Sequence, residues 1–126
     1  MAYTLGLWWA DGCIYGGKMF DITLHKKDKY ILKKIAEDMQ YENDVQDKVD
    51  VQACRLNFSC VTMYHDIRTL GGTERKSLTA IFPKNIPDEF LADFVRGYFD
   101  GDGSVWYVKG GRINSEFCSG SKQFLE

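Results

Sequence analysis

The chain has 126 residues, about the length of one domain. Hydrophobic residues make up 44% and charged residues 27%, an ordinary globular composition that excludes a disordered chain. The formal net charge of −2 does not advertise a polyanion partner, but the charge is uneven: residues 37–50 hold six acids and one base, a net of −5 that leaves +3 on the rest.

No apolar run approaches the roughly 20 residues of a membrane span, and the first 25 residues lack a signal-peptide pattern. A cytoplasmic protein without membrane partners is the expectation. Cys13, Cys54, Cys60 and Cys118 form no CxxC pair, and His25 and His65 are the only histidines. That argues for reduced thiols rather than a zinc site.

Residues 3–11, YTLGLWWAD, are an apolar run whose length leaves strand and helix open. Residues 12–25 predict a hairpin turning at Gly16-Gly17, with Phe20, Ile22 and Leu24 alternating against polar neighbours. A helix over 28–40 follows, capped by Asp28 and striped by Ile31, Leu32, Ile35 and Met39. Its five neighbouring lysines, Lys26, Lys27, Lys29, Lys33 and Lys34, read as a solvated face, with phosphate contacts as the alternative. The acidic stretch is a loop or ragged strand. Alternation returns at 53–60, then a short helix at 61–70 ends at Gly71-Gly72. His65 reads as a helix-surface residue. A polar loop with Arg75 and Lys76 leads to a short predicted strand at 78–82. Beyond Pro83 and Pro87 lies the longest helix, 88–101, then a second hairpin over 104–119 and a helix start at Ser121.

The order at 3–40 recurs at 88–126. AlaAspGly at 10–12 aligns with GlyAspGly at 101–103, offset by 91, and Asp28 aligns with Ser121, offset by 93. This predicts a first unit at 1–87 and an incomplete second unit at 88–126, so the chain is expected to be truncated. A homodimer could complete the missing half.

Each unit carries a glycine inside its apolar helix, Gly6 and Gly97. A mid-helix glycine costs about 1 kcal/mol relative to alanine, and close backbone contact between two helices would offset that. Such packing near a pseudo-twofold axis brings Asp11 and Asp102 together. Two adjoining carboxylates at negative helix ends repel, and a divalent cation relieves the repulsion. Hard oxygen ligands suit Mg²⁺, with Mn²⁺ or Ca²⁺ able to substitute, and such a site can activate water against a phosphodiester. Alone, an Asp-Gly after a helix is a stop signal; the duplication points to chemistry. AspGlyAspGlySer at 100–104 is not an EF-hand loop, because Val105 and Gly111 stand where that loop needs glycine and an acid.

TLGLWWADG (4–12) and VRGYFDGDG (95–103) resemble the two signature motifs of the LAGLIDADG homing endonucleases. The stretch from KSLTAIFP (76–83) through IPDEF (86–90) is similar to bacterial two-motif members. The resemblance implies an α+β fold: an αββαββα unit and the first part of a second, related by a pseudo-twofold axis. It also implies site-specific cleavage of double-stranded DNA, in the manner of intron or intein homing. Mg²⁺ would be held by Asp11 and Asp102 with the carbonyls of Ala10 and Gly101, and Lys76 would steady the transition-state phosphate. Trp9 departs from the motif, where Asp100 holds the matching place in the second; it reads as a packing choice.

On a saddle-shaped sheet over DNA, alternation nominates Lys18, Thr23, His25, Arg55, Asn57 and Ser59 in the first unit. Lys109, Arg112 and Asn114 are nominated in the second, with Tyr15 and Trp106 as apolar contacts. The rivals are a sequence-specific DNA-binding module that does not cut and an inactive fragment of the same fold.

Overall fold

Helix α1 (Ala2–Asp11) resolves the ambiguous first segment. The computed structural model describes residues 1–126. Leu7, Trp8 and Trp9 are all buried, because α1 lies between a sheet and a second helix. A helix covered on several sides carries no single apolar stripe, which is why its pattern was uninformative. Trp9 meets Trp8 and Phe94 edge-on, at centroid distances of 5.1 and 6.0 Å, and its indole N–H donates to the Ile81 carbonyl at 2.9 Å. It is a packing residue.

Strand β1 (Gly12–Tyr15) starts where α1 stops, and β2 (Met19–His25) returns antiparallel to it. Gly16 and Gly17 take φ of +60° and +73°, a region that favours glycine. A 3₁₀ turn at Lys26–Asp28 precedes α2 (Lys29–Asp38). The expected Asp28 cap does not form. His25 Nδ1 accepts from the Lys27 N–H at 3.2 Å instead and caps the chain one turn earlier. The acidic stretch is mostly loop, with a two-residue edge strand β3 (Gln46–Asp47). Strand β4 (Ala53–Ser59) and helix α3 (Val61–Thr69) follow.

The first sheet is antiparallel in the order β1-β2-β4-β3. Ile14, Phe20, Ile22, Cys54 and Leu56 fill its helix-covered face. Its other face carries the polar alternates and no helix packs on it.

Residues 78–82 are not a strand, contrary to the expectation. They pair with no strand, and two of their carbonyls go to side chains: Ile81 accepts from Trp9, and Ala80 accepts from the Ser121 hydroxyl at 2.7 Å. The same use of its hydroxyl leaves Ser121 making no side-chain cap on the last helix. The segment is tied to α1 through Ile81 and Trp9, and Lys76 just before it is buried.

Helix α4 (Asp88–Asp102) leads into β5 (Gly103–Val108), β6 (Arg112–Phe117) and α5 (Lys122–Leu125). The β5–β6 hairpin is a separate two-stranded sheet. It is rooted where Phe117 meets Tyr98 and Phe99, while Tyr107 at its tip is 81% exposed. The order αββαββα is thus followed by αββα, an α+β architecture. No helix is long and apolar enough to cross a membrane.

Candidate active site and nucleic-acid interface

Helices α1 and α4 touch backbone to backbone. A β carbon added to Gly6 would overlap the Phe94 carbonyl oxygen and sit 2.8 Å from the Tyr98 nitrogen. One added to Gly97 would overlap the Tyr3 carbonyl and sit 3.0 Å from the Leu7 nitrogen. Each helix therefore needs its glycine because of the other. The contact continues to the C-terminal ends, where a β carbon on Gly101 would overlap the Ala10 methyl and lie 2.7 Å from Asp11 Oδ2.

The two helix ends therefore adjoin, and Asp11 and Asp102 feel each other. Burial pushes the Asp11 carboxyl above its ordinary range, the Asp102 charge pushes it further, and Lys76 opposes both. Lys76 is 8% exposed. Its ammonium donates to the Ala10 carbonyl at 2.9 Å and lies 5.4 Å from the Trp8 ring centroid. Burial lowers the Lys76 pKa, against the raising effect of Asp102 and Asp11. A buried cation beside two acids and a helix-end carbonyl is a compact charge cluster.

No group of three or more His, Cys, Asp or Glu side chains is gathered anywhere. A metal at the helix ends would therefore rest on two carboxylates and backbone carbonyls. The donors are all hard oxygens, and the unfavourable pairing of Asp11 with Asp102 is the kind that a cation relieves. The set fits Mg²⁺ or a cation of similar hardness.

The open face of the first sheet gathers four nominated residues around one that was not nominated. Asp21 is 4% exposed and stands opposite Asn57 and Cys13 in the register. Its carboxylate is ion-paired with the Arg55 guanidinium. It also accepts from Asn57 Nδ2 at 2.9 Å and Thr23 Oγ1 at 3.2 Å. The Tyr15 hydroxyl accepts from Arg55 Nη2 at 2.9 Å and Asn57 Nδ2 at 3.1 Å. The Tyr15 hydroxyl thus takes part in the polar network. In the sequence Asp21 is one polar alternate of β2, and only the pairing of β2 with β4 sets it opposite Asn57.

The other nominated residues lie apart from this network. Ser59 and His25 sit at opposite ends of the β2–β4 pair, and Lys18 is exposed in the β1–β2 turn. Trp106 pairs with Asn114, Arg112 pairs with Val108, and Lys109 occupies the tip, all on the exposed second hairpin.

No family model matches the sequence, and no curated protein matches it. Solved structures do. A crystal structure of the meganuclease I-SmaMI bound to uncleavable DNA aligns with 90% of this chain at a TM-score of 0.53 and 14% identity. The I-SmaMI LAGLIDADG homing endonuclease bound to cleaved DNA gives 0.52 and 15%. The I-LtrWI LAGLIDADG homing endonuclease bound to target DNA gives 0.51 and 13%. This chain spans 62–63% of the length of those three chains. It has the fold of the LAGLIDADG homing endonucleases.

Proposed function

We propose that the protein is a site-specific double-stranded DNA endonuclease that works with Mg²⁺ held by Asp11 and Asp102. The observation that supports this reading is the glycine-mediated contact of α1 and α4, beyond which Asp11 interacts with Asp102 and Lys76 donates to the Ala10 carbonyl. A divalent cation there would acidify a water and stabilise charge on the leaving oxygen. Asp11 and Asp102 would hold the cation, and the Ala10 and Gly101 carbonyls would be its further oxygen ligands. Lys76 supplies fixed positive charge to a developing phosphorane. Burial of its ammonium strengthens that interaction and excludes water from the stem. The open face of the first sheet would lie in the major groove, and the β5–β6 hairpin would extend the contact. The DNA-bound state of the structures with this fold supports DNA as the partner.

A second reading, DNA binding without cutting, is favoured by one observation. No third His, Cys, Asp or Glu side chain joins Asp11 and Asp102 at the helix ends. One experiment separates the two. A plasmid library carrying randomised inserts is incubated with the protein and Mg²⁺, and the broken ends are sequenced. A cleaved subset that Asp102→Asn eliminates, with DNA retention preserved, supports the endonuclease. Cleavage that survives Asp102→Asn removes the metal-site assignment. Retention of DNA without any cleavage by the unaltered chain supports the binding module.

A further inference from the structure

The polar network on the first sheet leaves a defined set of groups facing outward. Asn57 Nδ2 lies within hydrogen-bond distance of Asp21 Oδ2, the Phe20 carbonyl at 3.2 Å and the Tyr15 hydroxyl. A carboxylate and a carbonyl only accept, so this atom is the amide NH₂ and both its hydrogens are engaged inward. Asn57 is left with one outward group, the acceptor Oδ1.

Arg55 has five N–H groups. Nε and Nη2 face Asp21, and Nη2 also donates to Tyr15. The two Nη1 hydrogens have no protein partner. The Tyr15 oxygen accepts from Arg55 Nη2, so its own proton is free to donate.

The connectivity also orders these groups. The Tyr15 hydroxyl lies within hydrogen-bond distance of both Arg55 Nη2 and Asn57 Nδ2, so it stands between them and the order is donor, donor, acceptor. The Arg55 charge is offset by Asp21 beneath it. That weakens its pull on phosphates and leaves its directional N–H groups as the main feature.

In the major groove a G·C pair presents N7 and O6 of guanine as two acceptors, then the N4 amino donor of cytosine. An A·T pair presents acceptor, donor, acceptor. The first pattern complements donor, donor, acceptor; the second opposes it at the centre and at the Asn57 end.

Resting on the DNA-binding reading above, we propose that Arg55, Tyr15 and Asn57 read one G·C base pair. Asp21 is the positioning residue that turns the Arg55 and Asn57 side chains into reading order. Without Asp21 the amide of Asn57 can flip and offer a donor, and Arg55 is free to swing toward phosphate.

The test is selection from a duplex library with a randomised 24-base-pair centre, using the full chain and sequencing the bound fraction. The unaltered protein is expected to enrich one position for guanine on a single strand, by about fivefold to a hundredfold, the range of a good base contact. Tyr15→Phe, a conservative change at a partly exposed site, removes the central donor and should erase enrichment at that position only. The other enriched positions are the internal control. Asp21→Asn should let adenine compete at the same position, a readout that mere loss of stability would not produce. Bound duplexes with no such G·C position overturn the inference and leave DNA binding standing. So does a G·C position that both variants leave unchanged. Retention of no duplex at all overturns the DNA reading itself, and this inference with it.

Discussion

Replacing Gly97 with alanine sets two physical effects against each other with opposite signs. Alanine is the better helix former by about 1 kcal/mol, so a helix judged by propensity alone should become more stable. In the folded chain the new methyl would overlap the Tyr3 carbonyl oxygen and crowd the Leu7 nitrogen at 3.0 Å. Both are backbone atoms of a buried helix, so no side chain can rotate away. Relief requires α1 and α4 to separate, which loosens Leu7, Phe94 and Tyr98 from a core where each is at most 4% exposed. Overpacking of this kind costs about 1–3 kcal/mol when side chains can adjust. Here they cannot, so a net loss of about 2 kcal/mol or more is expected after the propensity gain. For a domain of this length that corresponds to a fall in Tm of roughly 6–10 °C. Thermal and urea unfolding followed by circular dichroism measure it, and Gly6→Ala should match it from the other helix, through the Phe94 carbonyl. An unchanged or raised Tm in either variant would refute the close-contact account of these glycines.

Three further outcomes follow from the helix-end cluster and the open sheet. A ligand that binds only the folded state stabilises it by about 1.4 kcal/mol at ten times its Kd. Titration with Mg²⁺ or Mn²⁺ should therefore raise Tm, and Asp11→Asn or Asp102→Asn should abolish the rise; equal responses in the variants would place the cation elsewhere. The folded-state pKa of Asp11 lies above its ordinary 3.8, mainly through burial and then Asp102. In that window the folded chain binds more protons than the unfolded one, so this group's contribution to stability falls as pH rises from 3.8 through the raised value. In metal-free buffer the stability advantage of Asp11→Asn should accordingly grow with pH across that range and level off above it, as read by urea midpoints; an advantage that shrinks with pH would contradict the charge crowding. Lys18→Ala, at the exposed β1–β2 turn, should weaken binding to all duplexes alike and reduce the slope of log K against log salt by about 0.9, measured by fluorescence anisotropy. An unaltered slope would remove Lys18 from the phosphate contacts.

Element order was legible in the residues because its signals are local. Alternation marked β2 and β4, a 3.6-residue stripe marked α2 and α4, and glycine pairs marked the hairpin turns. The duplicated Asp-Gly after a glycine-bearing helix pointed to Asp11 and Asp102, since spacing along one chain carries that signal. Other features depended on what each group meets in space. The first segment is helical because α1 is enclosed by the sheet and α4, which erases the stripe that would have announced it. Residues 78–82 have strand composition but no strand partner, so their carbonyls turn to Trp9 and Ser121. Asp28 is a good cap by type, yet the chain enters α2 through a 3₁₀ turn capped by His25. Asp21 reads as one polar alternate among several; only the pairing of β2 with β4 places its carboxylate under Arg55 and Asn57. Periodicity is a property of one segment and survives in a string of letters. Partners across a sheet or between helices are set by the fold, and with them the hydrogen-bonding direction of every side chain on the candidate interface.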